Sequence, residues 1–130
     1  MTNELWRKSA LDLAEGIRSK KFSSREVVDA HLSRIDEVNP KVNAIIRLMG
    51  DEARTAADAA DKALSQGGPI GPLHGVPYTV KINIDVAGQA TTQGITALAE
   101  AIPAIDAPTI ERMKASGAIM LGRTNMPDLG

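Results

Sequence analysis

The chain of 130 residues contains no cysteine, which excludes disulfides, thiolate metal sites and cysteine nucleophiles together. Histidine is confined to His31 and His74, too few for a histidine-rich metal cluster. Aromatic side chains amount to 2%, namely Trp6, Phe22 and Tyr78, so the core has to be aliphatic. No run approaches the ~20 consecutive apolar residues that a membrane span needs. The polar stretch from Met1 to Lys8 lacks the apolar segment of a secretory signal. An excess of one charge is missing too: 15 basic residues stand against 16 acidic ones, a net charge of −1, and that leaves no electrostatic footprint for nucleic acid. Neither a nucleic-acid partner nor a membrane is expected, and the cytoplasm is the expected location. What is present, 43% hydrophobic and 24% charged residues, is an ordinary balance at a one-domain length.

The first half reads as helical. Trp6, Ala10, Leu13, Ala14 and Ile17 follow the spacing of one amphipathic helix. Ser23 with Glu26 forms a capping box, in which each side chain satisfies a free N–H at a helix start. The helix it opens carries Val27, Val28, Leu32, Ile35 and Val38 on one stripe, and Asn39-Pro40 is expected to stop it, because proline disfavours a helical residue before it. Val42 to Leu48 reads as a short strand or extended connection. Asp51 is placed to cap a third helix with Ala53, Ala56, Ala57, Ala60 and Leu64 on its apolar face. Gly67-Gly68-Pro69 ends that helix.

Beyond the glycine-rich turn the period changes to two. Val76, Tyr78, Val80 and Ile82 share one face of a strand, while Thr79 and Lys81 share the other. Residues 83–103 form a long Gly-, Thr- and Ala-rich segment, the kind of loop that usually carries function in a compact domain. Asp106 and Pro108 signal a helix start, with Ile110 and Met113 inward and Gly117 at the C′ position. A short apolar strand follows from Ala118 to Gly122. Strand, helix and strand make a βαβ unit of a helix-covered parallel sheet, with both strands expected to be buried on two faces. The expected class is α/β, with residues 1–66 mainly helical and residues 67–130 starting an α/β core. Two strands cannot cover both of their own faces, and the chain stops just after the second. An incomplete sheet and a truncated chain are therefore expected.

Lys81 is the one basic residue in the apolar run from Val76 to Ile84. On an edge strand a lysine commonly guards against aggregation. A buried lysine loses its proton more easily, and such a residue at a strand end can act as a general base or form a Schiff base. Spacing alone does not choose between these roles. His74, in a Gly- and Pro-rich turn, reads as a local hydrogen-bonding residue more readily than as a base, and His31 reads as structural. Thr91-Thr92-Gln93-Gly94 offers hydroxyls and an amide to a polar ligand, or simply makes a turn. Gly67-Gly68 lacks the continuation of a phosphate loop. Asp58 and Asp61 read as a solvated helix face.

The segment from Gly71 through Lys81 to Asp85 resembles the lysine segment of the amidase signature family. The likeness continues in Ala90-Thr91-Thr92-Gln93-Gly94, in Asp106-Ala107-Pro108-Thr109 and in Leu121-Gly122-Arg123-Thr124-Asn125-Met126-Pro127-Asp128. The helical stretch from Ser23 to Asn43 matches as well, so the resemblance covers nearly the whole chain. It implies the N-terminal portion of a single amidase signature domain, with helices followed by the first strands of that fold's mixed, helix-covered sheet. It also implies hydrolysis of a carboxamide C–N bond by a Ser–cis-Ser–Lys triad. In that chemistry a neutral lysine draws a proton from the nucleophilic serine through the bridging serine.

Lys81 matches the catalytic lysine, and no other residue matches a triad position. Ser65 and Ser116 are the only serines after residue 33, and neither has a Gly- and Ser-rich context. The resemblance places Asn83, Thr92, Asn125 and Met126 near the site as substrate-binding or supporting residues. It calls for no metal, nucleotide or flavin. Its partners are a small-molecule amide substrate and the remainder of the amidase chain, and it allows a homodimer. Position 82 departs from the pattern: Ile stands where many members have Asp. Two other readings compete, a non-catalytic truncated remnant that binds through its open strand edge and a Schiff-base lysine enzyme.

Overall fold

The structure, a computed structural model, describes residues 2–130, with side chains from Glu4 onward. A 3-10 turn at Thr2–Arg7 leads into α1 (Ala10–Arg18), α2 (Ser24–Val42), β1 (Ile45–Leu48), α3 (Gly50–Ser65), β2 (Pro77–Lys81), a second 3-10 turn (Thr96–Leu98), α4 (Pro108–Ala115) and β3 (Ile119–Thr124). The sheet order is β1-β3-β2. β2 and β3 run parallel across α4, as the βαβ pattern predicts, and β1 joins β3 antiparallel. The class is α/β with a mixed sheet.

Several local expectations are corrected, each for a visible reason. The expected first helix is broken before α1, because the Ser9 side chain accepts from Asp12 N and caps a new helix start. Trp6 lies in the preceding turn, with the guanidinium of Arg34 4.5 Å from its ring centroid and that of Arg7 at 5.0 Å. Leu5, not Ala10, enters the core beside it.

Helix α2 runs through Pro40 to Val42. The helix ends two residues beyond the proline, and Asn43 closes it in the left-handed region at φ 48°. Asn39 adds a second clasp: its amide donates to Ile45 O at 2.9 Å and accepts from Ile45 N at 2.8 Å, which starts β1.

Asp51 does not cap α3, which begins at Gly50 without a side-chain cap. Met49 is held by the sheet through its N–H on Leu121 O, and Asp51 contributes charge to the first turn and pairs with Arg54 at 3.6 Å. Ala56 is exposed, while Ala53 and Ala57 are buried. Asp106 does not cap α4 either. Its carboxylate accepts from Ala87 N and Lys114 Nζ, pinning the long loop to the helix.

The core is aliphatic, as the scarcity of aromatics requires. One cluster joins α1 to α2 through Leu13, Ile17, Val27 and Val76. A second lies between the α2–α3 pair and the sheet, with Val28, Leu32, Ala53, Ala57, Ile119 and Leu121. Each fully buried Val, Leu or Ile contributes about 1.5–3 kcal/mol. A third cluster, Val80, Val86 and Ile110, closes the other side of β2. The expectation of two-sided burial holds for β3, the middle strand, and fails for β2, which is paired on one side only and leaves Thr79 and Lys81 exposed.

Candidate active site

The strand that carries Lys81 is launched by the turn at residues 71–76. Leu73 N donates to Ser116 O and Gly75 N to Gly117 O, so the turn lies against the junction of α4 and β3. This approach needs glycine. A Cβ on Gly71 would sit 2.3 Å from Ser116 O, and one on Gly117 would sit 2.8 Å from His74 Cα. Gly75 has φ +76°, and a Cβ there would sit 2.7 Å from Ser24 Oγ. The fully buried Ser24 donates its hydroxyl to Gly75 O at 2.8 Å, which ties the start of α2 to the launch of β2. His74 has the structural role: its Nε2 lies 2.8 Å from Ala60 O, and a carbonyl only accepts, so Nε2 carries the proton. His31 is likewise bound through Nδ1 to Val27 O, and burial pushes its pKa down while that hydrogen bond opposes the shift.

Lys81 is the last residue of β2 and stands opposite Thr124 of β3. Ile82 N continues the ladder onto Thr124 O, and Ile84 N then turns back onto Lys81 O. Asn83 sits exposed in that turn. Beyond β3, Asn125 N donates to Ala44 O and its side-chain oxygen accepts from Met126 N. The loop from Thr92 to Gly94 returns to the same edge. Thr92 Oγ1 accepts from Gly94 N, Leu129 N donates to Gln93 O, and a Cβ on Gly94 would sit 3.0 Å from Met126 O. Lys81 and Asn83 thus follow β2, Asn125 and Met126 follow β3, and Thr92 lies against the segment after β3. All five belong to the carboxyl edge of the parallel pair, where α/β folds place ligands.

The Lys81 side chain is exposed and makes no hydrogen bond or ion pair among the described residues. Burial, which a neutral lysine base requires, is not supplied by the described residues. Ile82 faces inward at 3% exposure, so an apolar side chain suits the position where the family pattern often has Asp. Ser116 precedes β3 and so lies at the opposite end of the parallel pair from Lys81, and its hydroxyl is held by Met113 O. Ser65 Oγ is held by Lys62 O at the end of α3. A groove of about 380 Å³ lies along the long loop between Asp85, Thr91, Gln93, Ile102 and Pro103, and one of about 680 Å³ lies against Leu5, Ser9 and Phe22. Neither is lined by Lys81.

Sequence reasoning passed over the residue beneath this edge. Arg123 is fully buried, with Nη2 donating to Ile84 O at 2.7 Å and Nη1 to Gln89 Oε1 at 3.3 Å, while its Nε has no partner. Burial pushes its pKa down, Arg47 adds to that, and Asp85 opposes. Asp85 in turn accepts from Thr91 Oγ1 at 2.7 Å. The only signal in the sequence is an arginine in an otherwise apolar strand.

Asp61 also departs from the solvated face that its spacing suggests. Its carboxylate accepts from Ser24 N at 2.7 Å and Arg25 N at 3.0 Å, capping α2 from α3. Asp58 pairs with Arg25 at 2.8 Å.

The chain belongs to the Amidase family, whose profile matches residues 26–130. It is 44% identical over 124 residues to the indoleacetamide hydrolase of Bradyrhizobium diazoefficiens, covering 95% of this chain and 24% of that one. It is 37% identical over 124 residues to the acylamidase of Rhodococcus erythropolis, covering 94% and 26%. Its fold is similar to the crystal structure of a bacterial aryl acylamidase of the amidase signature family, with a TM-score of 0.85 at 34% identity, covering 95% of this chain and 26% of that one. The chain thus spans about a quarter of the length of the relatives it matches.

Proposed function

We propose that these 130 residues supply the lysine base of an enzyme that hydrolyses a carboxamide C–N bond, and that the two serines of its triad lie in the rest of the protein. The observation that carries this reading is the position of Lys81: a lysine on an apolar strand, exposed at the carboxyl edge of the parallel pair and held by no acid among the described residues. The remainder of the protein would cover that edge and take the Lys81 side chain out of water, as a neutral lysine base requires. Neutral Lys81 then takes a proton relayed from the nucleophilic serine through the bridging serine. The serine oxygen bonds to the amide carbon, the C–N bond breaks, and ammonia or an amine leaves with that proton. Water next gives up a proton by the same relay and bonds to the acyl carbon, the ester C–O bond breaks, the proton returns to the serine oxygen and the acid leaves. Asn83, Thr92, Asn125 and Met126 would border the substrate. A polypeptide of these residues alone would be inactive, since none of its serines matches a triad position of the family.

The substrate class is tested by ammonia release from the full-length protein over a panel of primary carboxamides that includes indole-3-acetamide, with hydroxylamine added to divert the acyl-enzyme. Turnover with hydroxamate formation is expected. An intact, folded full-length protein that turns over none of the panel would favour the binding-module reading. Loss of activity after borohydride with a carbonyl compound, and no hydroxamate, would favour the Schiff-base reading.

A further inference from the structure

We infer that Arg123 is a positioning residue of this site: by holding the Ile84 carbonyl and Gln89 from beneath, it sets the turn that carries Lys81 and Asn83 and the loop that leads to Thr92. The inference rests on the amidase reading for what is positioned, and on geometry for the positioning itself. The pairing of β2 with β3 skips a residue, so that Thr79 stands opposite Gly122 and Val80 opposite Arg123. That skip sets Arg123 beside Val80, next to the loop that packs Val86 on the same strand. Its two nitrogen contacts go to residues on either side of Val86, one to the Ile84 carbonyl and one to the Gln89 amide. Gln89 is itself 9% exposed, and its Nε2 lies 3.3 Å from Met49 Sδ, so its oxygen is left for the guanidinium.

A strand that needed only to be packed would do better with Leu or Met at this position, since no ion would have to be desolvated. Among the described residues no carboxylate hydrogen-bonds the guanidinium, and its Nε has no partner. What the buried arginine provides is a charge-assisted, two-point hold on a segment with little regular structure of its own. Fixing that segment matters because a catalytic group misplaced by an ångström costs on the order of 10² in rate.

The test uses the full-length protein with Arg123→Met and Arg123→Lys. Hydrogen exchange resolved by segment is the arm independent of activity: Arg123→Met is expected to raise exchange over residues 82–91 by about tenfold or more, with α2 and α3 unchanged. In kinetics, kcat is expected to fall on the order of 10²-fold with KM nearly constant. Arg123→Lys, which keeps a cation but offers a single donor nitrogen in place of the guanidinium fork, should fall between Arg123→Met and the parent in both readouts. Wild-type exchange and kcat in Arg123→Met would overturn the inference, and so would exchange raised evenly through the domain with kcat and KM changing together. Where Arg123→Met does not fold, Arg123→Lys decides by the same criteria. If the parent itself shows no Lys81-dependent turnover, the amidase reading has failed, and the exchange arm still decides the role of Arg123.

Discussion

Gly75 joins three parts of the molecule within one residue: its N–H bonds Gly117 O, its carbonyl accepts the Ser24 hydroxyl, and its φ of +76° starts the turn into β2. Any side chain there is strained by the backbone and meets Ser24 Oγ at 2.7 Å. Gly75→Ala is expected to destabilise the full-length protein by about 1–3 kcal/mol, read by urea unfolding. Gly68, where a Cβ meets nothing within 4 Å, serves as the tolerant control. Lys81 stands out in the sequence because one charged residue interrupts an apolar alternation, and the base role proposed for it comes from the family resemblance rather than from that alternation. Arg123 and Ser24 were not legible, because their roles are made by contacts with residues 34–51 positions away, Ile84 and Gln89 for the first and Gly75 for the second.

Among the elements, α2 and α3 are joined by charge as well as by aliphatic packing. Asp61 caps the N-terminus of α2 from outside that helix, and removing such a cap costs about 1 kcal/mol. Asp61→Ala should lower stability by that amount, with the loss of protection in hydrogen exchange concentrated at the first turn of α2. Asp29 sits between Arg25 and Arg54, at 2.8 Å and 2.7 Å. Burial works against its ionisation, but the hydrogen bonds from Arg54 and Arg25 outweigh it and hold the carboxyl below the usual carboxylate range. A depressed carboxyl adds stability above its unfolded pKa of about 3.9 and loses it as pH falls through the lower folded value. Thermal unfolding between pH 7 and pH 3 should therefore show an acid-side loss that Asp29→Asn reduces. An unchanged profile in that variant would remove Asp29 from the account. The helices themselves were legible through the capping box at Ser23 and the apolar stripes. The ends were not, since Asn39, Met49 and Asp106 are satisfied by partners on other elements.

At the scale of the whole molecule, the parallel β2-α4-β3 unit was legible because period-two and all-apolar runs flank a helix signal. The place of β1 beside β3 was not: antiparallel pairing of residues 45–48 with 122–124 leaves no mark in either segment alone. The sheet carries an unpaired β2 edge, with Thr79 and Lys81 open beside it. The proposed function sets the remainder of the protein over Lys81 at the carboxyl edge of the parallel pair, and the relatives matched are about four times the length of this chain. The most direct test is carboxamide turnover by full-length protein carrying Lys81→Met, compared with the parent. The variant is expected to keep the parent's fold, read by circular dichroism, while kcat/KM falls by at least about 10⁴-fold. A Lys81→Met protein that retains parental turnover would contradict the assignment of the base to this chain.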